Sequence, residues 1–412
     1  MARRPLLLLA TVAALACMVS ARAPLGRRDA HAASARVSLS FRHGGHARIP
    51  FDLRSQHAWI RGRLNGRDSV WIVVDTGASS SVMDRGVARD LGLEVIGQHD
   101  AMGAGGRQPS VTVKGVKVEL AGLTLERETI DAIDLGALTR IGGRPMQLVL
   151  GAELFQACVV RFDYAAGIMD VWEPKHAPKH SKGVSVPMTL VDNHPYIEGT
   201  LSVPGRPPLA GRFVIDTGSS AALLITPEVA ARESLAGAFP RLLIAMGRGV
   251  GGDLRNRVGR ATSFSIGDLT FASPIVVMPD PSGGRIAAPG SIGNIGGLLL
   301  ERCRVTFDYP GQTVSFEPGR DFARPFEADM SGAALMRTNG GVVVLGVNPV
   351  TPAAEAGLEP GDVVRRIDGE VPESIDPASL SSRFQQEGRK VQLRVARGAD
   401  SLDVSFTLKR LL

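Results

Sequence analysis

The sequence predicts a mainly β protein built from two similar halves and a separate C-terminal unit. Short β-branched runs bounded by turn residues recur along the chain, as expected for strands. Several blocks of the first half return in the same order in the second half, which indicates a duplicated domain. After Pro318 the pattern changes, and the runs that follow match neither half.

The repeat is clearest at a short acidic loop. Asp75-Thr76-Gly77-Ala78-Ser79 returns 141 residues later as Asp216-Thr217-Gly218-Ser219-Ser220. Each copy follows an apolar run typical of a strand, so both acids lie where a strand ends. A Thr-Gly pair suits a tight turn, because glycine accepts positive φ and allows two backbones to approach closely. The two loops are therefore suited to holding a carboxylate in a fixed position.

Matched flanking blocks extend the repeat on both sides of this loop. If the halves pack as the subunits of a symmetric dimer do, a pseudo-twofold axis relates the two acids. His57 and His194 lie in the upstream blocks, and we interpret them as structural hydrogen-bonding groups rather than catalytic ones. The matched blocks are Gln56–Gly62 with Asn193–Gly199 and Cys158–Tyr164 with Cys303–Tyr309.

These motifs resemble those of the retropepsin-like aspartic proteases, from about Arg48 to Pro318. The resemblance implies two pseudo-symmetric β-barrel lobes, at residues 47–176 and 177–320, with Asp75 and Asp216 as the catalytic pair. It implies further supporting residues and two glycine-rich flaps. The support is assigned to Thr76, Gly77, Thr217, Gly218 and Ser219, and the flaps to Gly103, Gly105, Gly106, Gly247, Gly249 and Gly251.

The chemistry implied by the resemblance is peptide hydrolysis by an activated water. Two carboxylates about 3 Å apart cannot both ionise cheaply, so they share one proton, and no metal or cofactor is expected. Only the second loop has a hydroxyl three residues after the acid, at Ser219, so we predict that Ser219 favours the negative charge on Asp216. The expected function is an aspartic endopeptidase acting on peptides or unfolded proteins. The alternative is a non-catalytic peptide-binding or scaffolding protein of the same fold.

The second half departs from the family pattern at one further place. An apolar-apolar-Gly segment is intact in Leu148-Val149-Leu150-Gly151, but the second half has Gly293-Asn294-Ile295-Gly296 instead. We expect the second loop to bend differently.

Cys158 and Cys303 occupy equivalent positions in the repeat. A disulfide between the lobes and two buried free thiols are both compatible with the sequence. Cα atoms more than about 7 Å apart cannot be bridged, so the choice depends on the distance between the two residues.

The C-terminal unit, residues 328–412, resembles a PDZ domain. The resemblance rests on Ala356-Gly357-Leu358-Glu359-Pro360-Gly361-Asp362 before an apolar run, followed by an Asp368-Gly369 turn. It implies that the domain recruits substrates or regulates the protease, and that protein C-termini bind to a loop with free N–H groups. A docking brace for the lobes is the alternative. The loop is assigned to Gly332, Ala333, Ala334 and Leu335.

The N-terminus has the features of an export signal. Arg3 and Arg4 precede an apolar run, and Ala21-Arg22-Ala23 fits a small-x-small cleavage site. We therefore expect a signal peptide at residues 1–23, a linker at 24–46 and a bacterial periplasmic location. Lipidation of Cys17, which would tether the protein to a membrane, is the alternative.

Composition limits the other function classes. The net charge of +6 comes largely from dispersed arginine, without a basic block or zinc-type spacing, so nucleic acid is not an expected partner. Because both lobes belong to one chain of 412 residues, we expect a monomer.

Overall fold

The structure of the protein is a computed structural model. It describes residues 37–179, 182–281, 284–338 and 341–412, so the predicted signal segment and Cys17 lie outside the described residues. Most described residues that lie in regular elements are in strands, which form two sheets across the lobes and a third sheet at the C-terminus. The predicted mainly β fold is confirmed. None of the described helices is long and apolar enough to cross a membrane.

The first lobe is a closed barrel. Its strands and helices are β1 (Val37–Phe41), β2 (His46–Arg54), β3 (His57–Leu64), β4 (Arg67–Val74), β5 (Val82–Asp84), α1 (Arg85–Asp90), β6 (Val95–Gly103), β7 (Gly106–Leu120), β8 (Leu123–Ile133), α2 (Gly136–Gly142), β9 (Leu148–Leu150), α3 (Ala152–Ala157), β10 (Val159–Asp163) and β11 (Ile168–Trp172). Six of these strands follow the order β3-β4-β9-β5-β8-β7, and β7 pairs back to β3 to close the ring.

The second lobe repeats this plan. Its elements are β12 (Val184–Pro187), β13 (Thr189–Val191), β14 (His194–Ser202), β15 (Leu209–Asp216), β16 (Leu223–Ile225), α4 (Pro227–Arg232), β17 (Leu243–Gly249), β18 (Gly252–Arg260), β19 (Ser263–Ile266), β20 (Leu269–Ala272), β21 (Ile275–Pro279), β22 (Gly293–Gly296), α5 (Gly297–Leu300), β23 (Cys303–Asp308) and β24 (Thr313–Pro318). The long hairpin β7–β8 is interrupted here, between β18 and β19 and between β20 and β21. Proline at residue 274 has no N–H to donate, which accounts for the second interruption.

One antiparallel sheet joins the two lobes. Its order is β12-β24-β23-β10-β11-β2, so three strands of the second lobe continue directly into three strands of the first. At its centre β10 pairs with β23, and Arg161 lies opposite Thr306. These two residues are equivalent in the repeat, so the pseudo-twofold axis passes between them. The predicted symmetric relation of the lobes follows directly from this register.

The cysteines are both free and buried, so the disulfide alternative is wrong. Val159, next to Cys158, pairs with Asp308, whereas Arg304, next to Cys303, pairs with Asp163. The cysteines therefore lie at opposite ends of the central strand pair, roughly 20 Å apart at about 3.3 Å per residue. Burial raises the pKa of each thiol to about 12. The two cysteines lie far apart because the pseudo-twofold axis passes between Arg161 and Thr306, and neither cysteine is close to it.

The C-terminal unit is a five-stranded sheet with two short helices. Its elements are β25 (Ala333–Thr338), β26 (Gly341–Val347), α6 (Pro352–Glu355), β27 (Val363–Ile367), α7 (Pro377–Arg383), β28 (Lys390–Arg397) and β29 (Asp400–Thr407). The strands follow chain order, and β25 is at one edge. The unit has its own apolar core, which includes Val344, Val364 and Val395. Short 3₁₀ helices are Pro174–His176 and Leu235–Ala238 in the lobes and Pro372–Ser374 in this unit.

Specific contacts dock this unit on the lobes. The Asn348 side chain accepts a hydrogen bond from the N–H of Ile244 at 2.8 Å and donates one to its carbonyl at 3.1 Å. Arg241 donates to the carbonyl of Val350, and Arg54 pairs with Asp376. Leu411 is buried in the core of the lobes rather than in that of its own sheet.

The predicted linker, residues 24–46, is wrong in its C-terminal part. Val37–Phe41 forms β1, which pairs along its length with β8. Polar and apolar residues alternate in this short run, Val37-Ser38-Leu39-Ser40-Phe41, which is the period of a strand with one covered face. Residues 24–36 lie outside the described part of the chain.

Candidate active site

Asp75 and Asp216 are both buried at the centre of the molecule. Asp75 directly follows β4, and Asp216 is the last residue of β15. In each loop the glycine two residues later turns its N–H back onto the acid: Gly77 donates to Asp75 Oδ1 at 2.7 Å, and Gly218 donates to Asp216 Oδ1 at 2.9 Å. The structure thus places the two predicted acids in equivalent, oriented positions.

The glycines of the two loops are required by close approach. A Cβ added to Gly77 would lie 2.3 Å from Asp216 Oδ1, and one added to Gly218 would lie 2.3 Å from Asp75 Oδ2. Real Cβ atoms do not approach an oxygen so closely. Each glycine therefore leaves room for the carboxyl group of the other lobe, and the two acids lie side by side.

Thr76 and Thr217 fasten the loops to each other. The backbone N–H of each threonine donates to the hydroxyl of the other at 3.0 Å. Each hydroxyl in turn donates to a carbonyl of the opposite lobe: Thr76 to Ile215 at 2.8 Å, and Thr217 to Val74 at 2.9 Å. The backbone N–H and the hydroxyl of both threonines are thus hydrogen-bonded within a buried site, which fixes the acids rigidly.

The matched histidines lie behind these loops. His57 Nε2 bonds the carbonyl of Gly218 at 2.9 Å, and His194 Nε2 bonds the carbonyl of Gly77 at 3.1 Å. Burial lowers the pKa of both rings, so each is a neutral donor to the other lobe's loop. The interpretation of the histidines as structural hydrogen-bonding groups is confirmed.

The two acids differ in one contact. Asn294 of β22 donates a short hydrogen bond to Asp216 Oδ2, whereas Val149 holds the matching position beside Asp75. Oδ2 of Asp75 is buried without a partner among the described residues. Asn294 therefore stabilises negative charge on Asp216, whereas among the described residues Asp75 receives its hydrogen bonds from backbone N–H groups and from no side-chain amide.

The pKa values of the two acids follow this difference. Burial raises the pKa of Asp75 well above its ordinary value, and the charge of Asp216 and a hydrogen bond to it raise it further. Burial also raises the pKa of Asp216, to about 6, while the hydrogen bonds from Asn294 and Asp75 oppose the rise. The shared proton thus belongs on Asp75 and the charge on Asp216.

Ser219 does not supply this preference by its hydroxyl. Its Oγ is buried and has no hydrogen-bond partner in the described structure, so the predicted cause of the asymmetry is wrong although its direction agrees.

The sequence contained a signal that could have identified Asn294. A polar residue interrupts an apolar segment there, in a strand that runs parallel to the one bearing the acid.

Glu153 is a second buried residue that the sequence analysis missed. It accepts hydrogen bonds from the N–H and the hydroxyl of Ser81 and pairs with Arg127. The Ser81 hydroxyl also accepts from the N–H of Gly151 at 2.9 Å. The second lobe has apolar residues, Ala222 and Leu298, at the positions that match Ser81 and Glu153.

The predicted flaps are two hairpins whose tips meet. Gly105 donates its N–H to the carbonyl of Val250 at 2.9 Å. A Cβ at Gly103 would lie 2.4 Å from Val250, and one at Gly251 would lie 2.2 Å from the carbonyl oxygen of Gly106. Gly247 and Gly249 lie on the strand that leads to the second tip, so all six glycines belong to these hairpins.

Val250 connects the tips to the acids. It packs in one apolar cluster with Ala78, three residues after Asp75, and with Ala101 of the first hairpin. At the tips Ala104 and Val250 are buried, whereas Gly105, Gly251 and Gly252 are half-buried. Val250 thus ties the second tip to the residues that follow Asp75.

The predicted carboxylate-binding loop is already occupied by the chain itself. Asp329 Oδ1 accepts from the N–H of Ser331 and of Gly332, both at 2.9 Å, and from the Ser331 hydroxyl at 2.6 Å. The N–H of Ala333 bonds the same hydroxyl at 3.0 Å. The prediction of free donors at Gly332 and Ala333 is therefore wrong. Ala334 and Leu335 belong to β25 and pair with Gly346 and Val344.

Comparison with known proteins agrees with this geometry. A family model described as aspartyl protease matches residues 60–154 and 200–297, one stretch in each lobe, and a PDZ domain model matches residues 328–408. The crystal structure of an aspartic proteinase from Irpex lacteus is similar with a TM-score of 0.44 and 13% identity, over 68% of this chain and 98% of that one. This likeness is too low to support an argument by itself.

Two curated relatives share a short stretch with the chain. The magnetosome formation protease MamE of Magnetospirillum gryphiswaldense is 40% identical over 66 residues, or 16% of this chain, and that of Paramagnetospirillum magneticum is 43% identical over 60 residues, or 15%. The matched stretch spans 8% of the length of each relative. Their activity as whole proteins therefore does not transfer to this chain.

Proposed function

Since the chain belongs in both halves to the aspartyl protease family and carries a C-terminal PDZ domain, we propose that it is an aspartic endopeptidase with Asp75 and Asp216 as its catalytic pair. The observation that carries the proposal is the buried, unequal pair of carboxyl groups. One acid has an amide donor that favours its charge, and the other has a buried oxygen without a donor. General acid and general base are thereby assigned to different residues.

In the proposed reaction Asp216 acts first as the base and Asp75 as the acid. A water that bridges the two carboxyl groups gives a proton to Asp216 while its oxygen attacks the scissile carbonyl carbon, and Asp75 gives its proton to the carbonyl oxygen. The resulting gem-diol then collapses. Asp216 passes its proton to the amide nitrogen, the C–N bond breaks, and a hydroxyl proton returns to Asp75.

The rigid surroundings of the pair support this mechanism. The two threonines and two histidines hold both loops by hydrogen bonds that cross between the lobes. Fixed dipoles and acids need no reorganisation when charge develops in the transition state. The flap hairpins would exclude bulk water once a substrate is bound, which strengthens every electrostatic interaction at the pair.

The first experiment is hydrolysis of an unfolded protein mixture by the full chain between about pH 4 and pH 8. Asp75→Asn and Asp216→Asn are each expected to abolish turnover, because each removes one partner of the shared proton. Asp192→Asn, a change at an exposed acid, is the matched control and should retain activity. A folded wild-type protein without turnover at any pH would favour the peptide-binding scaffold instead.

We also propose that the protein is exported and acts in a bacterial periplasm as a monomer. Export is supported by the sequence of residues 1–23, with its basic start, apolar run and small-residue cleavage site, and the monomer by the presence of both acids in one chain. N-terminal mass spectrometry of the mature protein is expected to show a start after Ala23. A mature chain that begins at a lipidated Cys17 would support the membrane-tethered form, and an uncleaved cytoplasmic chain would exclude export.

A further inference from the structure

A cavity separates the PDZ domain from the second lobe. Its volume is about 290 Å³, near the lower end of ligand pockets, and its lining is mainly apolar. On the PDZ side it is bounded by β25 and α7, the two elements that flank a PDZ peptide groove. On the lobe side it is bounded by the chain just after the Asp216 loop. Lining residues include Leu335, Leu380, Phe384, Ala222, Leu243 and Leu298.

The lobe side of the cavity is apolar for a local reason. Ala222 and Leu298 match Ser81 and Glu153 of the first lobe, where a hydroxyl and a carboxylate are buried beside an arginine. The second lobe lacks these polar groups, and the surface formed by Ala222 and Leu298 faces the PDZ groove. The groove thus has an apolar wall opposite β25, which suits apolar side chains of a bound segment.

The end of the groove where a peptide C-terminus would bind carries negative charge instead. Asp329 and Glu327 both line the cavity. Glu327 is paired with Arg410 at 2.7 Å, whereas Asp329 takes the hydrogen bonds of Ser331 and Gly332. Burial raises the pKa of Asp329 to about 6, and the hydrogen bonds from Ser331 and Gly332 oppose this rise and stabilise the ionised carboxylate. A peptide carboxylate would have to displace this carboxylate and would be repelled by it.

We propose that the PDZ groove binds an internal, extended segment of unfolded polypeptide with apolar side chains, and that Asp329 makes it reject free C-termini. The Asp329 carboxylate takes the place that a ligand carboxylate would fill, so affinity comes from apolar burial and from pairing along the edge strand β25. The inference rests on the peptide-recruiting role that the resemblance to PDZ domains implies. It does not depend on catalysis by the two acids.

Binding is measured by fluorescence polarisation with the full chain carrying Asp75→Asn, which prevents cleavage of the probe. The probes are a labelled peptide with apolar residues at its C-terminus as the free acid, the same peptide as the amide, and a version extended past the apolar residues. The amide and the extended peptide are expected to bind more tightly than the free acid by about tenfold. A preference for the free acid, or no binding of any probe, would overturn the proposal.

Two substitutions test the role of Asp329 itself. Asp329→Ala should free the loop donors and reverse the preference toward the free acid, and Asp329→Asn, which keeps the shape, should remove the penalty against it. Glu327→Gln is the matched control, since Glu327 does not bond the loop, and it should keep the preference for the amide. Unchanged preference in both Asp329 variants would overturn the assignment.

Leu380→Arg should abolish binding of all probes, and binding that survives it would place the peptide elsewhere.

Discussion

Asn294 gives the two acids different surroundings although their loops are near copies. The residue lies 78 positions after Asp216 in the chain and reaches it because β22 runs parallel to β15. Val149, its counterpart, offers Asp75 no donor. In the proposed mechanism, one amide group outside the acidic loops therefore decides the direction of proton transfer at the pair.

This assignment predicts a shift in the pH dependence of hydrolysis. Hydrolysis requires Asp216 to be ionised, so the acidic limb follows its pKa, which Asn294 lowers. Asn294→Val, which copies the first lobe, removes that effect, raises the pKa and moves the acidic limb to higher pH. A hydrogen bond to a charged group contributes about 1.5 to 3 kcal/mol, equivalent to roughly one to two pH units.

The measurement is the pH profile of kcat/KM for one peptide substrate. Ser219→Ala is the matched control, because the Ser219 hydroxyl makes no hydrogen bond among the described residues and its loss should leave the limb in place. The assignment to Asn294 fails if the limb moves in the serine variant and stays in the asparagine variant.

At the scale of elements, the backbones of the two flap hairpins meet at their tips, and the Val250 side chain packs against the first hairpin as well. Gly105 meets Gly252 so closely that a Cβ would lie 2.3 Å from the carbonyl oxygen of Gly252. Gly97 lies on the same hairpin, yet a Cβ there would only reach 3.7 Å from Thr112. Gly105 therefore has no room for a side chain, whereas Gly97 on the strand below does.

Gly105→Ala is expected to lower kcat/KM by about tenfold or more while the melting temperature changes little, because the tips can no longer close over a substrate. Gly97→Ala should change neither quantity. Hydrolysis of one peptide and thermal unfolding by circular dichroism are measured for both variants. Equal activity of the two variants would mean that closure of the tips does not limit the reaction.

Some elements could be predicted from the sequence because their signals are local. The acidic loops and the glycine-rich hairpins are each identified by a few consecutive residues, and their repetition in the same order predicted the paired lobes. Asn294 and the separation of Cys158 from Cys303 depend on strand register, which pairs residues far apart in the chain. Asp329 had a local signal that was missed, since an aspartate before Ser331-Gly332 commonly bonds the backbone two or three residues later.

At the scale of the whole molecule, the position of the PDZ domain could not be read from the sequence. Its resemblance identified the module, but its docking depends on single contacts such as that of Asn348 with Ile244. Leu411 is buried with the lobes, so the end of the chain belongs to both units. A cavity beside the Asp216 loop results from this docking and from no local motif.

The sheet that joins the lobes has a consequence for how the molecule responds to dilution. A two-subunit enzyme with one acid per subunit loses its site when its concentration falls below the dissociation constant. Here β10 and β23 belong to one chain, so their pairing is intramolecular and has a fixed effective concentration. The two acids therefore stay together even when the protein is very dilute. A peptide with the sequence of either strand would find no separate subunit to bind.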